Sequence, residues 1–589
     1  MDALTDADQT LRFGQFELHL RSRELRNGAT SLRLQEQPFE ILRMMLERPG
    51  LIVTREELQQ RLWPDGTFVD FEHSLNAAVK RLRAALGDDA DNPRFVETLP
   101  RRGYRLIASL DTPPAGAQND VVPKVRLAVL PFSTLGQETG QEYFADGLTE
   151  EMISQLGQLY KGRVGVIARW SSMVFKGTIQ RSREIGQALR ADYLLEGSVR
   201  REGDRVRITA TLVEASSETH LWSESYERPL TNWLAAQADV AERIAQSLAV
   251  NLTPEEPSAT HSVFASTSAY QEYLKGRHRW NFANEDGIPA STSALDQALA
   301  CFNAAIRMDP RLAPGHAMVA RVHIARAEYY LDRPRPALET ARSAVKRALD
   351  LDPRLSEAHL ALGDIRRMLE WDWHGAEAAY AQAIALNPSQ ENAHRRRGTM
   401  LVALSRAEEA VREAERAREL DPLCRVVTVS AASVRYLAED YHTAMEQCRR
   451  AIDMDPQYLT GHRLLAAASL QTGRVADAVE VLDAAHAAAP HDPIVIIWLA
   501  HARAVAGDRT GATSLLAMIN DLDRRQYVSR YHLAIAHAGL GDLDAAFAAL
   551  EQATVDADPE LPNVVVEPRF APLRPDPRYV RLVELLGLE

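Results

Sequence analysis

The rhythm of apolar positions changes along the chain. From 11 to 34 apolar and polar residues alternate, through Leu11, Phe13, Phe16, Leu18, Leu20, Leu25, Leu32 and Leu34. Asn27-Gly28 interrupts them as a tight-turn signal, so a small antiparallel sheet is expected. A helical spacing follows. Phe39, Leu42 and Leu46 mark a first helix, stopped by Pro49-Gly50. Thr54, with Glu57 three residues on, reads as a capping box opening a second helix, which carries Leu58 and Leu62 and ends before Pro64. A third helix is expected from about Glu72 to Leu86, with Leu75, Val79, Leu82 and Leu86 as its buried stripe. Asn76, Ala77, Lys80, Arg81 and Ala84 fall on its other side, and Arg83 flanks them. Residues 94–106, RFVETLPRRGYRL, read as two short strands around a basic turn.

Pro-, Gly- and polar-rich stretches without periodicity at 111–124 and 252–264 read as linkers. They divide the chain into a domain at 11–110, a mixed α/β domain at 125–250 and an all-α region at 265–589. In the middle domain Val125–Phe132 and Arg163–Ala168 read as strands, Ser182–Arg190 as a short helix, and SVRREGDRVRITATLVE as a hairpin about Gly203. His220–Tyr226 reads as another strand, followed by a helix over Trp233–Leu248. Asp146 or Thr149 is expected to cap a helix whose first turn holds Glu150 and Glu151, where acids suit the helix dipole.

The third region repeats. Ala298, Ala341, Ala376, Ala410, Ala444, Ala478, Ala512 and Ala546 share one phase, and from Ala376 onward every step is 34 residues. Seven positions after most of them stands a second alanine, with a larger residue such as Phe302, Tyr380 or Leu482 between. In phase comes a stop: Asp309-Pro310, Asp352-Pro353, Asn387-Pro388, Asp421-Pro422, Asp455-Pro456 and Ala489-Pro490. Proline removes an N–H and biases its predecessor out of the helical region, so each helix ends there. Period, phase and terminator resemble tetratricopeptide repeats, about eight of them, which stack into a solenoid with a concave groove for a protein or peptide.

Composition narrows the function classes. The formal net charge of -13 repels nucleic acid, so DNA binding needs a local basic surface. Residues 12–105 supply one, with 16 Arg or Lys against 14 Asp or Glu. The three cysteines match no zinc or disulfide framework and favour a reducing compartment. The acidic, polar start is no secretory leader, and the best apolar run, Ile494–Ala506, is broken by His501 and Arg503. A cytoplasmic protein without membrane contact is expected. No phosphate-cradling loop, HExxH, CxxC or nucleophile elbow occurs, so no catalytic residue, cofactor or metal site is assigned.

Residues 12–108 resemble the winged-helix output domain of OmpR/PhoB-type response regulators and CadC-like regulators. The landmarks are LQEQPFEILRMML, Pro49-Gly50, Thr54-Arg55-Glu56-Glu57-Leu58, Leu62-Trp63-Pro64, VKRLRAALGDD and ETLPRRGYRL. The resemblance implies a recognition helix in the major groove, a wing on the adjacent minor groove and tandem binding to repeated half-sites. Asn76, Ala77, Lys80 and Arg81 are then the residues at bases or flanking phosphates, and Arg83 is a phosphate anchor. Arg101, Arg102 and Arg105 would place the wing on the backbone, with Tyr104 in the core. This chain shows no phosphoacceptor receiver domain before the winged helix and no membrane span after it, so neither phosphorylation control nor direct transmembrane sensing is expected.

The middle stretch resembles the TolB-like domain found beside adenylate cyclases and winged-helix regulators, through VLPF, EYFADGLTEEMISQL, EIGQALRADYLLEGSVRREGDRVRIT and LVEASSETHLWSESYE. Its polar Asp146, Glu196, Ser198 and Arg200 fit caps and turns better than a ligand site. The expected function is a sequence-specific transcription regulator modulated through its repeat array. Its partners would be double-stranded DNA, a protein or peptide on the groove, RNA polymerase, and further copies of itself on DNA. The alternatives are an assembly scaffold without DNA binding, or an enzyme sited in the middle domain.

Overall fold

The structure is a computed structural model. It describes residues 10–13, 16–19, 24–27, 30–47, 53–62, 71–88, 93, 95–99, 103–106, 125–134, 142–159, 164–202, 205–229, 267–285 and 292–588. Two compact units emerge, Met1–Asp120 and Val121–Glu589.

In the first unit, strands β1 (Thr10–Phe13), β2 (Phe16–His19), β3 (Glu24–Asn27) and β4 (Thr30–Arg33) form an antiparallel meander. Asn27 pairs with Thr30, closing the β3–β4 hairpin; Gly28 of the expected turn lies outside the described residues. Phe16, Leu18 and Leu25 face the core, but Leu32 is 49% exposed. Leu32 stands opposite Leu25 but on the edge strand β4, which leaves it uncovered, and Leu34, just beyond the strand, is buried. Helices α1 (Glu36–Glu47), α2 (Arg55–Leu62) and α3 (Phe71–Leu86) follow. Strand β5 (Val53–Thr54) pairs with β7 (Gly103–Leu106), which pairs with β6 (Val96–Leu99). The capping box forms in both directions: the Glu57 N–H donates to Thr54 Oγ1 at 3.2 Å, and the Thr54 N–H donates to Glu57 Oε2 at 2.9 Å.

The second unit opens with a mixed sheet. Strand β8 (Val125–Val129) lies between β10 (Val164–Val166) and β11 (Tyr193–Glu202), both parallel to it. The hairpin of β11 and β12 (Arg205–Glu214) continues into β13 (Thr219–Pro229), and the short β9 (Ser133–Thr134) pairs with β11. Helix α4 (Glu142–Leu159) crosses over between β8 and β10; the short α5 (Arg169–Met173) and α6 (Ser182–Leu189) follow. Helix α4 starts earlier than the sequence predicts. Asp146, Thr149, Glu150 and Glu151 therefore lie in its interior, and none caps it or sits in its first turn. The Thr149 hydroxyl instead donates to Ala145 O and accepts from the Phe132 N–H. The expected helix over Trp233–Leu248 lies outside the described residues.

Among the described residues, sixteen α-helices from Thr267 to Asp556 pack as eight antiparallel pairs. Helices end at Met308, Leu351, Leu386, Leu420, Met454 and Ala488, one residue before each predicted stop. The phased alanines from Ala298 to Ala546 are all buried, as close helix approach requires. Four terminators, Asp309, Asp352, Asn387 and Asp455, accept the backbone N–H two residues on. His316, His359, His394 and His462 each approach the carbonyl of the proline six residues before, so these histidines belong to the repeat framework. The sheet region and the array share a core: Phe144, Leu148 and Met152 of α4 join Tyr270, Tyr273 and Leu274 of the first repeat helix. Gly147 sits at this contact, where a Cβ would come within 2.7 Å of Leu274.

After Asp556 the chain leaves the repeat pattern and turns into the array. Two 3₁₀ turns, Leu561–Val565 and Pro568–Leu573, precede a last helix, Pro577–Leu586. Trp373 Nε1 donates to Leu586 O at 2.7 Å, the Tyr436 hydroxyl donates to Glu567 at 2.8 Å, and Arg569 lies 3.9 Å over the Trp498 ring. The last pair also meets the second: Tyr330 stacks on Tyr527, and Arg335 donates to Thr554 O. Among the described residues no helix is long and apolar enough to cross a membrane.

Candidate nucleic-acid interface

Helix α3 divides cleanly. Leu75, Val79, Leu82 and Leu86 are at most 2% exposed, each burial worth about 1.5–3 kcal/mol. That anchoring fixes which face looks outward: Asn76, Lys80, Arg81 and Ala84 are exposed, and Ala77 and Arg83 half-buried. Lys80 makes no ion pair among the described residues. Arg81 reaches Gln37 of α1 through one nitrogen at 3.2 Å, leaving its other donors outward.

The helix is clamped to the β6–β7 hairpin. Arg83 donates to Val96 O at 2.7 Å and to Thr98 Oγ1 at 2.8 Å, so much of its guanidinium holds the hairpin. Beyond the helix, Gly87 takes φ +59°, and Asp88 then accepts the N–H groups of Phe95 and Val96. Gly103, at φ +153°, lets β7 meet β5; a Cβ there would fall 2.1 Å from Val53 O. Tyr104 is buried, as the sequence predicts, and its hydroxyl donates to Asn76 Oδ1 at 2.9 Å. Arg55 donates to the same hydroxyl and lies over the ring. Asn76 is thereby oriented with its amide N–H groups free to point outward. Sequence reading missed Gln37, Arg55 and the Tyr104 hydroxyl as supports, because their partners lie 28 to 49 residues away.

Arg105 pairs with Glu97 across the hairpin at 2.8 Å, which neutralises much of its charge. Arg101 and Arg102 lie outside the described residues. The structure thus brings Asn76, Ala77, Lys80 and Arg81 onto one outward face and places Arg83 and Arg105 at its hairpin edge. Among the described residues no group of three or more His, Cys, Asp or Glu could hold a metal ion.

Several stretches of the chain are similar to known proteins. Residues 29–106 match the family model "Transcriptional regulatory protein, C terminal", and 123–245 match "HilA/YgeH-like transcriptional regulator, second domain". Residues 372–423 and 436–495 match tetratricopeptide repeat models. A putative adenylate cyclase 3 of Rhizobium meliloti is 32% identical over 253 residues, 42% of each chain. The cholera toxin homolog transcriptional activator of Vibrio parahaemolyticus is 38% identical over 85 residues, 14% of this chain and 29% of its own. The chain thus spans less than half the length of these curated relatives. Among solved structures, the RstA DNA-binding domain of Klebsiella pneumoniae, in complex with the RstA box, is 27% identical; the match covers 17% of this chain and 96% of that one, with a TM-score of 0.15. The chain carries, in order, a winged helix of the transcriptional-regulatory C-terminal (OmpR/PhoB) type, a HilA/YgeH-like second domain and tetratricopeptide repeats.

Proposed function

We propose that the chain is a sequence-specific DNA-binding transcription regulator of the cytoplasm, without enzymatic activity, that inserts α3 into the major groove and lays the β6–β7 hairpin on the adjacent minor groove. The observation that carries this reading is the exposed Asn76–Lys80–Arg81 face, held opposite a fully buried stripe and braced by the hairpin. A helix fits the major groove, where Arg or Lys pairs with guanine. Asn76, already engaged by Tyr104, fits a donor to base or phosphate better than a two-sided contact to adenine. Arg83 and Arg105 retain spare N–H groups for phosphate, and Arg101 and Arg102, between the two strands in sequence, would add further phosphate contacts. Transcriptional activators among the relatives support the class. We further propose tandem self-association on repeated half-sites, contact with RNA polymerase, and control by a protein bound to the repeat array. A groove ligand would share the inner face with residues 557–588.

A gel shift and footprint with fragments of the protein's own promoter region test the core of this reading at one fixed salt concentration. A discrete protected site is expected for the full chain. Lys80→Ala or Arg81→Ala should weaken it about tenfold or more, since a good base contact discriminates by roughly 1–3 kcal/mol. If footprint and affinity survive both substitutions, α3 is not the reading element.

A further inference from the structure

Between the sheet region and the first repeats lies a cavity of about 190 Å3. Helix α4 and α5 wall one side, and the inner helices 267–285, 313–328, 356–365 and 391–403 wall the other. Most charged groups on its walls are already satisfied by protein. Glu150 pairs with Arg277 and accepts from Asn281 at 2.8 Å. Glu328 takes Arg396, and Asp364 accepts from the Tyr380 hydroxyl.

Four groups are not satisfied in this way. Arg321 lies 5.7 Å over the Trp280 ring and makes no hydrogen bond or ion pair with the described residues. Arg395 has only Asn392 Oδ1, reached through two nitrogens. Glu391 accepts from Asn392 Nδ2 at 2.6 Å and from its own backbone N–H, and Glu357 has no hydrogen bond or ion pair with the described residues. Two cations and two carboxylates thus face one partly open space, close enough to feel one another's charge but with no ion pair between them. Charges withdrawn from water are costly unless compensated. Burial, with Arg396 close by, pushes the pKa of both Arg321 and Arg395 down, and burial pushes Glu391 up, so the lining holds its charges under strain. A purely anionic or purely cationic guest would relieve one pair and aggravate the other. A zwitterion relieves both. Trp280, Met318 and Ile324 add an apolar wall, and the volume limits the guest to a small molecule.

We propose that this cavity binds a free α-amino acid with an apolar side chain, its carboxylate held by Arg321 and Arg395 and its ammonium by Glu357 and Glu391. The ligand would lie at the seam where α5 docks on the array. There Ser171 donates both its N–H and its hydroxyl to Asp421, and Trp170 packs against Ala417, Cys424 and Val427. Occupancy would tighten that seam. The inference does not depend on DNA binding.

Isothermal titration of the full chain with L-leucine, L-methionine and L-phenylalanine in turn, at neutral pH, tests it. At least one should bind saturably with one site per chain, and its N-acetyl derivative, which lacks the ammonium, should not. Arg321→Gln and Glu357→Gln, made separately and checked for native circular dichroism, should each weaken binding about tenfold or more, the scale of a lost charge-assisted contact. The two variants lie on opposite charges of the cavity, so one that misfolds leaves the other to decide. Binding of none of the three amino acids, binding undiminished in a folded variant, or equal binding of inorganic phosphate or acetate would overturn the proposal.

Discussion

Two arginines, one in each unit, are used in opposite ways. On α3 of the winged helix, Arg81 and the neighbouring Lys80 stand on an exposed face, with one loose contact from Arg81 to Gln37. Inside the array, Arg569 is 6% exposed, pairs with Glu567 at 2.8 Å and lies on Trp498. The outward cations cost the fold almost nothing and gain nothing until a partner arrives. The inward one is committed: its charge is compensated on the spot, and its partner would be stranded without it. A cation's availability for binding is therefore legible from what it already holds.

That contrast breaks most visibly from the inside. Arg569→Met leaves Glu567 buried with only Tyr436 and a backbone N–H, and should cost about 3–5 kcal/mol. Calorimetry should show it as a fall in the Tm of the repeat-containing transition, with that of the winged helix unmoved. Gly103→Val strikes the other unit, because a Cβ there collides with Val53 O. About 1–3 kcal/mol of strain is expected, lowering the Tm of the winged helix and its DNA affinity together.

A smaller effect comes from Asp421. Burial lifts its carboxyl from the usual 3.8 to about 7, and its Oδ2 has no hydrogen-bond partner. The folded state therefore holds this proton more tightly than the unfolded chain does. Stability contributed at the seam should fall as pH rises from about 4 to about 7 and stay level above. Asp421→Asn should remove this component and raise stability at pH 8 by about 1–2 kcal/mol; an unchanged pH profile of Tm would exclude it. At the far end, Lys80→Ala and Arg81→Ala should change stability by no more than about 0.5 kcal/mol while still losing DNA affinity. A marked fall in Tm would mean that these side chains support the fold after all.

What the sequence disclosed was local or periodic. The 34-residue alanine phase, the proline stops, the Thr54–Glu57 box and the α3 stripe each depend on residues within a few turns of one another. What it concealed rests on distant partners. The acidic pair Glu150-Glu151 imitates a helix start, yet Phe144 and Leu148 extend the buried stripe upstream, and Asp146 is drawn to Lys176 and His278. Asp421 has the same Asp-Pro signature as its sister terminators, but its partner Ser171 lies 250 residues earlier. The exposed face of α3 could be read in advance; the engagement of Asn76 by Tyr104 and of Arg83 by the hairpin could not, because nothing in the spacing marks them.

A linear stack of repeats frays from its ends, since each terminal unit has a neighbour on one side only. Here Tyr330 of the second pair meets Tyr527 and Asp558 close to the end of the array, so the last pair is held by the second as well as by its own neighbour. Contacts spanning more than two hundred residues raise the contact order of what would otherwise be a locally wired fold. Such an array should fold slowly for its helical content. Its amides should exchange with solvent at similar rates at both ends, with no gradient running inward from a loose terminus.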